Sequence, residues 1–205
     1  MLTAFLIGAA AGYAIAIPVG PIAVLIVRTG LRRGFGVAAS AGAGTATVDL
    51  IYAITSVVVG GAVTTLFAAL LVPMRLAAAA ALGYLAVRGL MRLGCADSSL
   101  DSGDGRSAPR TYLLFVGLTL LNPATVAYFV TLAVGLPAIA QDLGARLAFA
   151  VGAALASLSW QTLLAAIGAA LHARLTPRIE LATALLSSAI LVAFALKIAS
   201  DAVAG

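Results

Sequence analysis

"AIAIPVGPIAVLIV", residues 14–27, sets two prolines and a glycine inside an apolar run that carries no charge from Met1 to Val27. Proline in a helix removes an amide donor and clashes with the preceding turn, so Pro18-Val19-Gly20-Pro21 predicts a helix broken in its middle. The setting makes the break significant. Of the 205 residues, 63% are hydrophobic and 9% charged, with a mean hydropathy of +1.15, whereas soluble domains are about 25% charged. The chain reads as an all-α integral membrane protein with the lipid bilayer as its surroundings. In lipid, freed backbone must be buried in protein or line a wet cavity, so an interrupted span points to a site.

Six apolar segments follow from the sequence: Thr3–Val27, Phe35–Val59, Pro73–Met91, Tyr112–Ile139, Leu143–Leu171 and Arg178–Ala199, with Leu66–Val72 as an apolar connector. Each is close to the roughly 20 residues that cross a bilayer. Residues 94–110, "GCADSSLDSGDGRSAPR", have the composition of a flexible linker. They divide the chain into a first repeat at 1–93 and a second at 111–205, within one transmembrane domain. Three spans per half would insert the second half upside down, giving two inverted three-helix repeats, an arrangement found in many secondary transporters. Weak internal likeness agrees with this. "GAGTATVDLIYAI" from Gly42 parallels "GAALASLSWQTLL" from Gly152, and Pro18–Pro21 in segment one is matched by Asn122-Pro123 in segment four. Segments one and four are thus both expected to be broken at proline.

Charge orients the chain, since Lys and Arg collect on cytoplasmic loops. Arg28, Arg32, Arg33, Arg88, Arg92, Arg106, Arg110, Arg174 and Arg178 border one set of junctions, against Arg75, Arg146 and Lys197 on the other, nine of the 12 basic residues to three. The linker is expected in the cytoplasm and both termini outside it. No basic stretch precedes the first apolar run, so residues 1–27 read as a retained helix. The net charge of +5 serves this topology; the arginines end apolar runs rather than interleaving with aromatics, which argues against nucleic acid. One cysteine, Cys95, excludes an internal disulfide, and with one histidine, His172, no metal site or other cofactor is implied. A Ser/His intramembrane hydrolase fails because His172 falls at a membrane edge, so no enzyme is expected.

The candidate site residues are few. Matched interruptions in two repeats are the best sequence pointer to a transporter's binding site, which selects Pro18, Gly20, Pro21, Asn122 and Pro123 as substrate-binding positions. Asn122 either caps the second half-helix or meets substrate. Asp49 lies deep in segment two, with no other charge between Arg33 and Arg75, where an acid costs about 2.5–3.5 kcal/mol to insert. It is expected to couple proton flow or hold a substrate ammonium, against the alternative of a purely structural acid. Tyr52, at i+3, shares its helix face and is expected to hydrogen-bond it. Ser159, Trp160 and Gln161 occupy the corresponding region of segment five, and Lys197 is placed to pair with Asp201 at i+4.

These stretches resemble a known family. "PVGPIAVLIVRTGLRRGFGVAASAGAGTATVDLIYAI", "LGYLAVRGLMR" at 82–92 and "LTLLNPATVAYFV" at 118–130 resemble, in order and spacing, the LysE-type translocators, the lysine exporter family. Val19 intrudes into that family's Pro-Gly-Pro triplet, and Ala124-Thr125 stands where many members have lysine. The resemblance implies export of amino acids or related small solutes across a bacterial inner membrane, driven by an ion gradient. With the residues above, it gives a secondary transporter working by alternating access with the proton as coupling ion. A channel and a non-transporting assembly subunit are the rival readings, and homo-oligomerisation stays open.

Overall fold

The computed structural model describes residues 1–18, 20–59, 62–94, 107–135, 142–172 and 177–204. Eight helices appear among them and no strand: α1 (Leu2–Ala16), α2 (Pro21–Arg33), α3 (Phe35–Val59), α4 (Ala62–Gly94), α5 (Ala108–Leu120), α6 (Pro123–Gly135), α7 (Leu143–His172) and α8 (Pro177–Ala204). Within the described residues, α3, α7 and α8 are each long and apolar enough to cross a membrane. The pairs α1–α2, bent by 79°, and α5–α6, bent by 61°, each qualify as a broken span or a re-entrant loop, giving up to five candidate spans. Segment two has the bounds expected of it, Phe35–Val59.

Four boundaries differ from the sequence reading, one of them the end of segment six, where α8 runs on past Ala199 to Ala204. The helix expected to begin at Pro73 begins at Ala62, and the supposed connector is part of it, with Pro73 inside α4. Membrane helices accommodate an internal proline when neighbours satisfy the freed groups, so Pro73 was a poor start signal. The basic junction after segment one is helical: α2 continues to Arg33, with Arg32 and Arg33 in its last turn, where the negative end of the helix dipole favours cations. Gly34 ends it at φ 77°, its N–H bonded to the Gly30 carbonyl at 2.9 Å. Lastly, Ala108–Arg110, assigned to the linker, form the first turn of α5, with proline near the start where its missing N–H costs nothing. Residues 95–106 of the linker and 136–139 of segment four lie outside the described residues.

Helix α7 is the hub: α1, α2 and α3 all pack on it, while α5 packs on α3 and α4 pairs with α8. Residue size rather than hydrophobicity decides which face of α1 turns inward. Ala4, Gly8, Ala11, Gly12 and Ala16 are buried, whereas Leu2, Leu6, Ile7 and Ile17 are exposed. Lipid is as apolar as leucine, so helix association depends on close packing and favours small residues at the seam. Cβ atoms built at Gly8, Gly12 and Gly152 would run into the backbones of Phe149, Ala153 and Phe5. Gly8→Ala and Gly152→Ala should each destabilise the protein by about 1–3 kcal/mol by prising α1 from α7. A Cβ at Gly83 meets nothing within 4 Å, so Gly83→Ala should gain about 0.5–1 kcal/mol from helix propensity. Thermal unfolding in detergent checks both signs.

At one end of the α4–α8 pair, Arg75 Nη1 donates to the Asp201 carbonyl at 2.9 Å. There the expected Lys197–Asp201 pair forms at 3.1 Å between exposed side chains. At such exposure an ion pair contributes at most about 1 kcal/mol, so its interest is positional.

Candidate functional site

The first break is built by residues with little choice. Helix α1 closes with the Ile17 N–H on the Tyr13 carbonyl at 2.9 Å. Gly20 is extended, at φ −104° and ψ −176°, and Pro21 opens α2 at a position that suits its fixed φ. Pro21 is buried and Pro18 exposed; Val19 lies outside the described residues.

The second break is a capped one. Asn122 accepts the Ala124 N–H at Oδ1 over 3.2 Å and donates from Nδ2 to the Thr125 hydroxyl at 2.8 Å. Of the two roles the sequence offered for Asn122, its side chain here makes the cap of α6, and Pro123 follows as the buried first helical residue. Helix α5 ends with a freed carbonyl at Leu120, and that carbonyl has a designated partner: the Tyr52 hydroxyl donates to it at 2.8 Å. The hydrogen bond expected from Tyr52 to Asp49 is therefore corrected to one with the break, where Pro123 lacks an N–H and the Ala124 N–H is held by Asn122, leaving the Leu120 carbonyl within reach of the hydroxyl.

Both breaks open on one crevice. Pro21 and Ile22 from the first and Leu121 and Asn122 from the second line it together with Leu118 of α5, Ala78 and Leu82 of α4, and Ile198 of α8. Its volume is about 290 Å³, the open mouth included. Pro18, Gly20 and Pro123 are not among its lining residues.

Asp49 stands apart from that crevice. It is 4% exposed on α3 and accepts a 2.6 Å hydrogen bond at Oδ2 from the hydroxyl of Ser157 on α7, itself fully buried. Tyr52 links the two places, since it lies one turn from Asp49 and ends on the second break. Around them run further hydroxyl contacts between helices: Tyr112 to Thr47 at 3.0 Å, Ser56 to the Phe129 carbonyl at 2.9 Å, and Tyr128 to the Ala11 carbonyl at 2.8 Å. Such bonds satisfy groups that hydrocarbon cannot.

The sequence reading missed Ser157. It aligned Asp49 with Ser159, which instead shares a hydrogen bond with Tyr13 at 2.9 Å, and with Trp160 and Gln161, whose Nε1 and Oε1 are buried without a hydrogen-bond partner among the described residues. The available signal was the helical spacing of Phe149, Ala153, Ala156 and Ser157, all buried on one stripe of α7. The walls from α4 and α8 were missed too, and Ala78, Leu82 and Ile198 offer no sequence signal that separates them from lipid-facing neighbours.

A family model described as LysE type translocator matches residues 13–202, a stretch that includes both breaks, Asp49 and Ser157. Neither a curated protein nor a solved structure matches the chain.

Proposed function

We propose that this chain, which belongs to the LysE type translocator family, is a six-span secondary transporter that exports amino acids or related small solutes by alternating access. Membership and the apolar helices make it a multi-pass membrane protein that moves small solutes. The observation that carries the finer reading is the shared crevice: two helices interrupted far apart in sequence contribute Pro21 and Asn122 to one space. Interrupted helices meeting at a repeat interface are how transporters present backbone charge to a solute.

Packing supports counting each bent pair as one span. α1 meets α7 at Phe149 and Ala153, and α2 meets it further along, with Gly30 against Ala165 and Ala169; the pair advances along α7 rather than doubling back. Likewise α5 and α6 advance along α3, through Tyr112 against Gly44, Leu120 against Tyr52 and Phe129 against Ser56. With α4 the count is six. The same contacts support inverted repeats. Superposing Pro21 on Pro123 and Gly42 on Gly152 exchanges α1 with α5, α2 with α6, α3 with α7 and α4 with α8. α1 lies on α7 as α5 lies on α3, α2 meets α8 as α6 meets α4, and α3–α7 and α4–α8 each pair with their own counterparts. The approach of Ala9 to Gly152 maps onto Thr111 and Gly42, next to the approach of Tyr112 to Gly44.

In this reading the solute carboxylate lies toward the amino ends of α2 and α6, where the dipoles favour an anion, and its ammonium toward the carbonyl end of α1. Asp49 carries the coupling proton and acts on the second break through Tyr52. Counterflow of amino acids in liposomes holding the purified protein tests the reading. Saturable exchange supports it; unsaturable conductance would replace it with a channel, and a folded protein moving nothing with an assembly subunit.

The basic junctions support a linker in the cytoplasm and both termini outside it, in a bacterial inner membrane. A membrane-impermeant thiol reagent added to intact cells should therefore leave Cys95 unlabelled, and should label it once the membrane is opened. Labelling from outside would reverse the topology.

A further inference from the structure

We propose that the crevice between the two breaks is a side-chain pocket selecting uncharged, aliphatic amino acids. The inference rests on the transporter reading above and names the class of solute that this site takes. Its walls are Ile22, Leu82, Leu118, Leu121 and Ile198, with Ala78 among them. Among the described residues the single polar side chain in the lining is Asn122, whose amide oxygen and nitrogen are already engaged by Ala124 and Thr125.

A basic side chain entering this space would lose its water without gaining a counter-charge, the costliest form of burial. Asp49, the acid that sequence alone offered for that purpose, does not line the crevice and receives Ser157 instead. An acidic side chain fits no better inside, because among the described residues no donor side chain stands free in the lining. The two main-chain charges of an amino acid can face the helix ends at the breaks, which leaves its side chain to the apolar walls.

Counterflow in liposomes loaded in turn with leucine, valine, alanine, lysine or glutamate decides the matter. Leucine and valine should exchange at least about tenfold faster than lysine and glutamate at equal concentration. Ala78→Leu, which fills the pocket with apolar atoms, should lower leucine exchange at least about tenfold relative to alanine. Leu82→Asp should raise lysine exchange relative to leucine. Lysine moving as fast as leucine in the wild type, or Ala78→Leu folding normally with an unchanged leucine-to-alanine ratio, would overturn the pocket while leaving transport intact. Exchange of none of the five solutes would overturn the transporter reading itself, and the pocket with it.

Discussion

Asp49→Asn should leave the protein folded, inserted and close to wild type in thermal stability, while net transport driven by a pH gradient falls to background. The structural half of this expectation comes from Ser157, whose hydroxyl donates to Asp49 at 2.6 Å. An asparagine amide oxygen accepts the same bond, so a merely structural acid would tolerate the change. The functional half comes from cost. An acid 4% exposed within α3 is expensive in a bilayer and is retained where it has work to perform. Removing the exchangeable proton removes the coupling, whether or not solute-for-solute exchange persists. Gradient-driven uptake and its pH dependence, measured beside the melting curve, separate the two roles. Wild-type uptake with an unaltered pH profile would reduce Asp49 to a packing partner of Ser157.

Replacing Pro18 and Pro21 together by alanine should abolish most transport without unfolding the protein. With both prolines gone, little besides Gly20 opposes a continuous helix from Leu2 to Arg33. Such a helix of 32 residues would be about 48 Å long, against a hydrocarbon core of about 30 Å. Pro18 lies beyond α1 and Pro21 at the first position of α2, where proline costs a helix little, so the substitutions should leave the melting temperature near that of the wild type. Healing the helix would straighten the 79° bend, withdraw Pro21 and Ile22 from the crevice, and close the amino end of α2. Counterflow should drop sharply while stability does not, a combination that simple misfolding cannot produce. Full counterflow in the double variant would mean that the break is a packing kink.

What the sequence made legible follows from where chemistry departs from a lipid-filling background. Prolines, a buried acid and clustered arginines are conspicuous against 63% hydrophobic residues. So the two breaks, the expected span at α3 and the singularity of Asp49 could all be read in advance. Partners could not. Ser157 is an ordinary serine until α3 and α7 are laid together, and Tyr52 looked like a neighbour of Asp49 until the freed Leu120 carbonyl claimed its hydroxyl. The crevice walls were the least visible, because Leu82 and Ile198 in the crevice are written like Leu76 and Leu196 on the exposed surface. Pro73 misled for a related reason: proline ends soluble helices far more reliably than it ends membrane helices.

The central claim is that solute passes through the crevice where the breaks meet, and the reactivity of a thiol placed in its wall tests this most directly. In a Cys95→Ser background, Leu121→Cys should react with a small water-soluble thiol reagent. Transported solute should slow that reaction, and modification should stop counterflow. A thiol at position 121 that reacts at the same rate with and without solute, and whose modification leaves counterflow intact, would contradict the account.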